Sequence, residues 1–260
     1  YLPIIVYFVE KYLETERYKW LIYAAVAMAF QFCGGFMQCI LYSDVFVGIY
    51  LVVGLLRRGI LEKSGSKIKK WCIHFFVWLC AYFGLIAIQL IPLVELLGEN
   101  SVYDVSSASY EFFMANSLHP IKLLQMIFPK TFIDVFGAMG GTYSSGMDIE
   151  LYLGPVVIIL LVCGVIIYGK EYRVKAYSIA AIVTFCWACI ACFPAVAKIV
   201  CKIPLIGNTR VQSRIVFIFC FLILLLVGYI GELLADRKDY QKFWEKAKLI
   251  FGALVLFALT

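Results

Sequence analysis

The sequence is poor in charge, since Lys, Arg, Asp and Glu make up only 15% of its 260 residues. A soluble domain has about 25%. Hydrophobic residues account for 63% of the chain. A soluble protein of this length needs many polar side chains to cover the surface that it exposes, so a soluble fold is excluded. Intrinsic disorder is excluded because disordered chains have low hydrophobicity. The mean hydropathy of +0.92 indicates a protein that lies in a lipid bilayer.

Several motifs of soluble enzymes and pumps are also missing. The sequence contains no Walker A loop, no GxGxxG after a strand, no HExxH and no GxSxG. The chain therefore does not resemble a hydrolase or the subunit of an ATP-driven pump. It has no clear internal repeat, which weakens the hypothesis of an inverted-repeat transporter. It begins and ends within apolar runs, so we expect a fragment whose two ends lie inside membrane segments.

Continuous apolar runs dominate the sequence, and they predict helices rather than the alternating strands of a barrel. A helix needs about 20 mostly apolar residues to cross the hydrocarbon core. We predict a single all-α transmembrane domain, a polytopic helical bundle, with two partial spans at residues 2–9 and 249–260. The complete spans are predicted near residues 20–34, 38–56, 71–97, 151–168, 176–195 and 215–234.

The basic residues predict the orientation of this bundle. Alternate connections lie on the same side of a membrane, and residues 10–19, 57–70, 169–175 and 235–248 hold 17 of the 23 Lys and Arg. Because Lys and Arg are retained on the cytoplasmic side, these four connections are predicted to be cytoplasmic. The loop 98–150 and the segment 196–214 are then extracytoplasmic. The net charge of +6 is explained by topology, so no nucleic-acid partner is expected.

The long external loop 98–150 contains apolar stretches, which predict short interfacial helices. Ser117 can cap one such helix, with Pro120 in its first turn. Its residues Ile121, Leu124 and Phe128 would then share one face. That face could lie on the outer membrane surface or pack on the bundle, and the sequence leaves both alternatives open.

Two arginines stand at the external entrance of the span 215–234. Arg210 and Arg214 are four residues apart and share a face if the helix begins near Thr209. Each guanidinium offers a planar fork of donors that matches a phosphate group. Snorkelling to lipid head groups is the alternative explanation.

Polar residues within the apolar runs are the other candidates for function. Asp44 lies inside the span 38–56, where a carboxylate is costly and therefore suggests a function. Gln38 and Gln89 are less costly polar groups of the kind that often join helices. Glu95 lies near the outer end of its span. The CxxCxxC run 186–192 is surrounded by apolar residues, so we expect packing and no metal site.

Five short segments form a further pattern, and they are followed by an apolar helix. They are Gly-Gly-Phe-Met-Gln at 34–38, the proline-centred 89–97, the loop segment 117–129, Glu-Leu-Tyr-Leu-Gly at 150–154 and the Arg-containing 202–214. In their order and spacing these segments resemble the bacterial YfhO family of polytopic membrane proteins, over about residues 20–235. Phe36 stands where histidine is common in that family.

The resemblance implies a GT-C-type glycosyltransferase, which needs no cofactor. Such a protein transfers a sugar from a polyprenyl-phosphate donor to a cell-envelope polymer, such as teichoic acid, outside the cytoplasmic membrane. It implies membrane lipids, the lipid-linked sugar and the polymer as partners, and a catalytic aspartate upstream of Tyr1. In this reading Arg210 and Arg214 bind the donor phosphate. The groove is lined by Gln38, Asp44, Gln89, Glu95, Glu150 and Tyr152.

Two other functions remain open on the sequence. A transporter or flippase of lipid-linked substrates would use Asp44 as its coupling residue. A non-catalytic scaffold of an envelope-assembly complex would need packing residues only.

Overall fold

The computed structural model describes residues 1–62, 65–99, 110–114, 117–127, 151–203, 209 and 211–259. These residues form α-helices and short 3₁₀ helices and no β-strand, so the predicted all-α class is confirmed. The 3₁₀ helices are Pro120–Met126, Ile190–Cys192 and Gln212–Ile215. The α-helices are α1 Leu2–Thr15, α2 Lys19–Cys33, α3 Met37–Glu62, α4 Gly65–Glu99, α5 Tyr110–Met114, α6 Pro155–Tyr168, α7 Tyr172–Ala188, α8 Pro194–Val200, α9 Val216–Arg237 and α10 Tyr240–Leu259.

Three segments of the described chain are long and apolar enough to cross a membrane. They are Met37–Gly59 in α3, Lys67–Glu95 in α4 and Gln212–Arg237, which contains α9. The helices α2 and α6 are also apolar but shorter, with 15 and 14 residues. Because a helix rises about 1.5 Å per residue, the three long segments match or exceed the thickness of the hydrocarbon core.

The chain forms two compact units, residues 1–107 and residues 108–260. In unit 1, α2 packs against both α1 and α4. The buried side chains of α2 recur every three or four residues, which places them on one face of the helix. This face includes Ala24, Ala25 and Met28. Small alanine side chains let neighbouring helices approach closely, as is common between membrane helices.

In unit 2, α9 packs against α6 and α7. Its buried side chains Leu222, Leu226 and Ile230 lie one helical turn apart. Gly164 of α6 faces Ile230, and a Cβ atom at Gly164 would lie 2.3 Å from the Cγ2 atom of Ile230. Such a distance is a clash, so the absence of a side chain at Gly164 is what allows α6 and α9 to approach here.

The structure divides the predicted span 176–195. The helix α7 ends at Ala188, a 3₁₀ turn follows, and α8 begins at Pro194. Proline has no backbone N–H and clashes with the carbonyl four residues before it, so α7 does not continue through this position. Phe193 adopts a non-helical conformation, as is usual for a residue before proline.

Helices also extend beyond the predicted spans. The helix α1 continues from the predicted partial span to Thr15 and ends where Glu16 takes a left-handed conformation. At the other end of the chain, α10 already begins at Tyr240, within the predicted connection 235–248. The helix α4 continues through Pro92 to Glu99. Backbone hydrogen bonding does not stop where hydropathy falls, so hydropathy alone misplaces these ends.

The short helix predicted in the loop 98–150 lies at Pro120–Met126, but its predicted cap was wrong. His119 is the N-cap, and its Nδ1 accepts a hydrogen bond from the Ile121 N–H at 3.3 Å. The Ser117 hydroxyl instead donates to the Met114 carbonyl at 3.1 Å. His119 directly precedes the helix, so its side chain, and not that of Ser117, lies within reach of the Ile121 N–H group. Phe128, predicted on the face of this helix, lies outside the described residues.

The 3₁₀ helix Pro120–Met126 packs on the protein. The Leu118 N–H donates to the Ala188 carbonyl at the end of α7 at 2.7 Å, and Gly154 N–H donates to the Met126 carbonyl at 3.0 Å. Leu118 and Met126 are both buried. Of the two alternatives that the sequence left open, the structure favours packing on unit 2.

Candidate functional site

Asp44 and Tyr82 form a hydrogen-bonded pair between α3 and α4. The Tyr82 hydroxyl donates to Oδ2 of Asp44 at 2.5 Å. The other carboxyl oxygen, Oδ1, is buried and has no hydrogen-bond partner among the described residues. Tyr82 lies near the middle of the membrane segment Lys67–Glu95. The pair therefore places a half-satisfied carboxyl group between two helices that are long and apolar enough to cross a membrane, where polar groups are expensive.

The helix α4 presents Tyr82 to Asp44 through its buried face. Trp78, Tyr82 and Ile86 follow one another at intervals of four residues, and all three are buried. On α3, Asp44 lies between the buried residues Ser43 and Val47. Sequence reasoning identified Asp44 and missed Tyr82. The available signal was a tyrosine, with its polar tip, at a buried position of an apolar helix.

A second carboxyl–tyrosine pair links α1 to the same helix α3. The hydroxyl of Tyr50 donates to the carboxylate of Glu10. Nearer the start of α3, Gln38 donates from Nε2 to the Tyr42 hydroxyl at 3.0 Å. Tyrosine takes part in each of these polar contacts of α3, which join Asp44 to Tyr82, Tyr50 to Glu10 and Gln38 to Tyr42.

Glu16 is the centre of an ion-pair cluster at one end of unit 1. Its carboxylate lies 3.0 Å from Lys70 Nζ, 3.3 Å from Arg58 Nη1 and 3.7 Å from Lys67 Nζ. Burial is the largest single influence and acts to raise the pKa of Glu16. The hydrogen bond from Lys70 and the charges of Lys67, Lys70 and Arg58 together outweigh it, so the pKa is lowered. Glu16 is therefore held as a carboxylate that ties the start of α4 to the end of α1.

The turn before α9 is fixed by a fully buried glutamine. Gln212 accepts from Nε1 of Trp187 at 3.2 Å and donates from Nε2 to the carbonyl and hydroxyl oxygens of Thr209, each at 2.9 Å. Ser213 is also buried. Arg214 follows in the same 3₁₀ turn and is half-buried. The turn thus holds a guanidinium at one end of the membrane segment Gln212–Arg237.

The remaining predicted site residues are distributed over both units. Arg210 and Glu150 lie outside the described residues. In unit 1, Gln89 is half-buried and Glu95 is exposed on α4. In unit 2, Tyr152 is exposed in the segment before α6. Of the four groove residues of unit 1, Asp44 is hydrogen-bonded to a residue of another helix, Tyr82.

The cysteine run is placed around the end of α7. Cys186 lies within α7, Cys189 is buried at its C-terminal cap, and Cys192 is exposed in the 3₁₀ turn. All three are free thiols. Within the described ranges, no three His, Cys, Asp or Glu side chains are close enough to hold a metal ion.

Two of the places where polar groups meet a membrane segment in the described chain are candidate sites. One is the Asp44–Tyr82 pair of unit 1, and the other is the turn of unit 2 that carries Arg214. No family model, no curated protein and no solved structure matches the chain.

Proposed function

We propose that the chain belongs to a GT-C-like membrane glycosyltransferase. It would transfer a sugar from a polyprenyl-phosphate donor to a cell-envelope polymer, such as teichoic acid, on the outer face of the cytoplasmic membrane. The resemblance of five ordered segments to the YfhO family supports this proposal. The helical fold, with three helices fit to cross a membrane, is compatible with it.

The position of Arg214 is the observation that carries the proposal. Arg214 is the third residue of the membrane segment Gln212–Arg237, at the end that the charge distribution predicts to be extracytoplasmic. This is the level at which the phosphate of an outer-leaflet lipid lies. The buried Gln212 and its bonds to Trp187 and Thr209 fix the turn. A fixed guanidinium is a suitable partner for a phosphate that gains charge during a reaction.

The transfer itself requires little from the protein beyond positioning and charge. The hydroxyl of the acceptor attacks the anomeric carbon of the sugar while the bond from that carbon to the phosphate oxygen breaks. Polyprenyl phosphate leaves with the electron pair, and a base takes the proton of the hydroxyl. The additional negative charge on the leaving phosphate is stabilised by Arg214, together with Arg210.

Sugar transfer by membranes that contain Arg214 variants tests this role. We expect Arg214→Gln to lower the rate by about 10²-fold, because one charge-assisted contact to the leaving phosphate is lost. Arg214→Lys keeps the charge and loses the planar fork, so its rate should lie between the rates of the wild type and of Arg214→Gln. Lys202→Gln is the matched control, since it removes an exposed cation of the same predicted external segment. A wild-type rate in Arg214→Gln membranes, at normal protein levels, would contradict the role.

The Asp44–Tyr82 pair favours a second candidate, a transporter or flippase of lipid-linked substrates. A buried carboxyl oxygen without a described partner, on the eighth residue of the membrane segment Met37–Gly59, is suited to bind a proton or cation that drives transport. Under this hypothesis Asp44→Asn abolishes ion-dependent movement of the substrate across vesicles. Under the glycosyltransferase hypothesis the same vesicles show sugar transfer that does not depend on an ion gradient.

A further inference from the structure

A cleft of about 310 Å³ lies at the basic end of unit 1. Its lining includes Lys69, Lys70, Ile73 and His74, all from the first turns of α4. The charge distribution predicts that this end faces the cytoplasm. We propose that the cleft binds the phosphate of an anionic phospholipid from the cytoplasmic leaflet. This site shares no residue with the Asp44–Tyr82 pair or with the turn that carries Arg214.

The cleft keeps an excess of positive charge. Among the described side chains, Glu16 is the carboxylate that lies beside it, and Glu16 already forms ion pairs with Arg58, Lys67 and Lys70. One negative charge offsets only one of these three cations. Lys69 is exposed, and it makes no hydrogen bond or ion pair with any other residue that the structure describes. The Lys69 ammonium group is therefore available to an anion that enters the cleft.

His74 supplies a fixed polar group at the inner side of the cleft. Its Nδ1 lies 3.1 Å from the hydroxyl of Tyr12, a buried residue, and the ring of Tyr18 lies 6.1 Å from the His74 ring. When Tyr12 donates this hydrogen bond, the neutral imidazole carries its proton on Nε2. The Nε2–H group can then donate to a phosphate oxygen between the two lysines.

The residues that follow on α4 match the tail of a lipid rather than a free phosphate. Ile73 and Phe76 come four and seven residues after Lys69, so the three share one face of the helix. Ile73 is 53% exposed and Phe76 is 67% exposed. The start of this helix is charged, and exposed apolar side chains follow toward the centre of the span. A phospholipid has the same order, with a charged head group followed by apolar tails. A soluble phosphate would gain nothing from this apolar surface.

Native mass spectrometry of the purified full chain tests the proposal. The protein is supplied in detergent with equal amounts of dioleoylphosphatidylglycerol and dioleoylphosphatidylcholine, with and without millimolar inorganic phosphate. We expect the wild type to retain phosphatidylglycerol preferentially. Each lysine contributes roughly a fivefold preference for an anionic lipid. The variant Lys69→Gln/Lys70→Gln should therefore lose most of the preference, by roughly 25-fold.

Two further variants separate binding from folding and from general charge. Lys170→Gln/Lys175→Gln removes two exposed lysines of unit 2 that do not line the cleft and are predicted on the same side of the membrane, and it should retain the preference. Lys69→Glu leaves the Lys70–Glu16 pair in place and should still lose the preference for phosphatidylglycerol. Equal retention in Lys69→Glu and the wild type would overturn the proposal, as would equal losses in the two double variants. Displacement of the lipid by inorganic phosphate would show a free-phosphate site and overturn the assignment to a lipid.

Discussion

The hydroxyl of Tyr82 donates to one oxygen of Asp44 at 2.5 Å, while the other oxygen of the same carboxyl group is buried without a partner in the described chain. The two residues are 38 positions apart and belong to α4 and α3. Their pairing makes the stability of unit 1 depend on a polar contact inside a membrane segment. The two candidate functions also give Asp44 different roles. It lines the groove of a glycosyltransferase, or it binds the proton or cation that drives a transporter.

Removal of Tyr82's hydroxyl alone should be worse than removal of the whole pair. Tyr82→Phe leaves the Asp44 carboxyl in an apolar bundle without its donor, and we expect the free energy of unfolding to fall by about 1–3 kcal/mol. Tyr82→Phe/Asp44→Leu replaces both partners with apolar groups and should recover part of that loss. Unfolding by sodium dodecyl sulfate measures both values. A double variant as unstable as the sum of the single variants would show that the two residues are not coupled.

The Glu16 cluster should make the stability of the protein depend on pH. The pKa of Glu16 is lowered in the folded protein, so its contribution is present above the ordinary value near 4.5 and is lost as pH falls through the lowered pKa. Glu16→Gln should therefore reduce the thermal midpoint at pH 7, corresponding to about 1 kcal/mol. The difference from the wild type should shrink below about pH 4.5. A constant difference from pH 7 into the acid range would count against the cluster.

The contact between Gly164 and Ile230 should tolerate no additional methyl group. Gly164→Ala places a Cβ atom within 2.3–2.7 Å of three side-chain atoms of Ile230, and we expect a loss of about 1–3 kcal/mol in the free energy of unfolding. Ile230→Ala removes those atoms, so the double variant should lose less than the sum of the single losses. Gly228→Ala is the matched control, because nothing lies within 4 Å of its new Cβ atom. A similar loss for both glycine variants would contradict the close approach of α6 and α9.

The turn before α9 should depend on the amide group of Gln212. Gln212→Leu leaves the Trp187 N–H and the Thr209 oxygens without their partner, which should cost about 1–3 kcal/mol. This turn also holds Arg214, which is proposed to bind the donor phosphate. The efficiency of sugar transfer should therefore fall mainly through a higher KM for the lipid donor. Trp187→Phe breaks only one of the three bonds and should have a smaller effect on both quantities. An unchanged KM in a stable Gln212→Leu protein would separate the turn from donor binding.

Much of the fold follows from hydropathy. The predicted spans 20–34 and 38–56 coincide closely with α2 and with most of α3, because a continuous apolar run of that length has few alternatives to a helix. The break after Ala188 is different. Residues 189–193 remain apolar, so hydropathy gives no sign of it, and Pro194 is the local reason for it. The helical connection from Tyr240 onward was missed because polar helices outside the core lack an apolar run.

Less of the candidate site could be predicted. Asp44 was identified because a carboxylate is rare inside an apolar span. Its partner Tyr82 depends on how α3 packs against α4, which no local pattern contains. The three cations around Glu16 lie 42 to 54 residues away from it along the chain, and the return of α3 and α4 to the end of α1 brings them together. Arg214 was identified by residue type and position, while the buried Gln212 that fixes its turn was not.

The most direct test of the proposed function is sugar transfer in right-side-out membrane vesicles. Vesicles from cells that contain the full-length protein, and from cells that lack it, are supplied with a radiolabelled polyprenyl-phosphate sugar. We expect label in the envelope polymer only when the protein is present. We also expect a rate about 10²-fold lower with Arg214→Gln and no need for an ion gradient. Equal labelling in vesicles with and without the protein would contradict the proposed function.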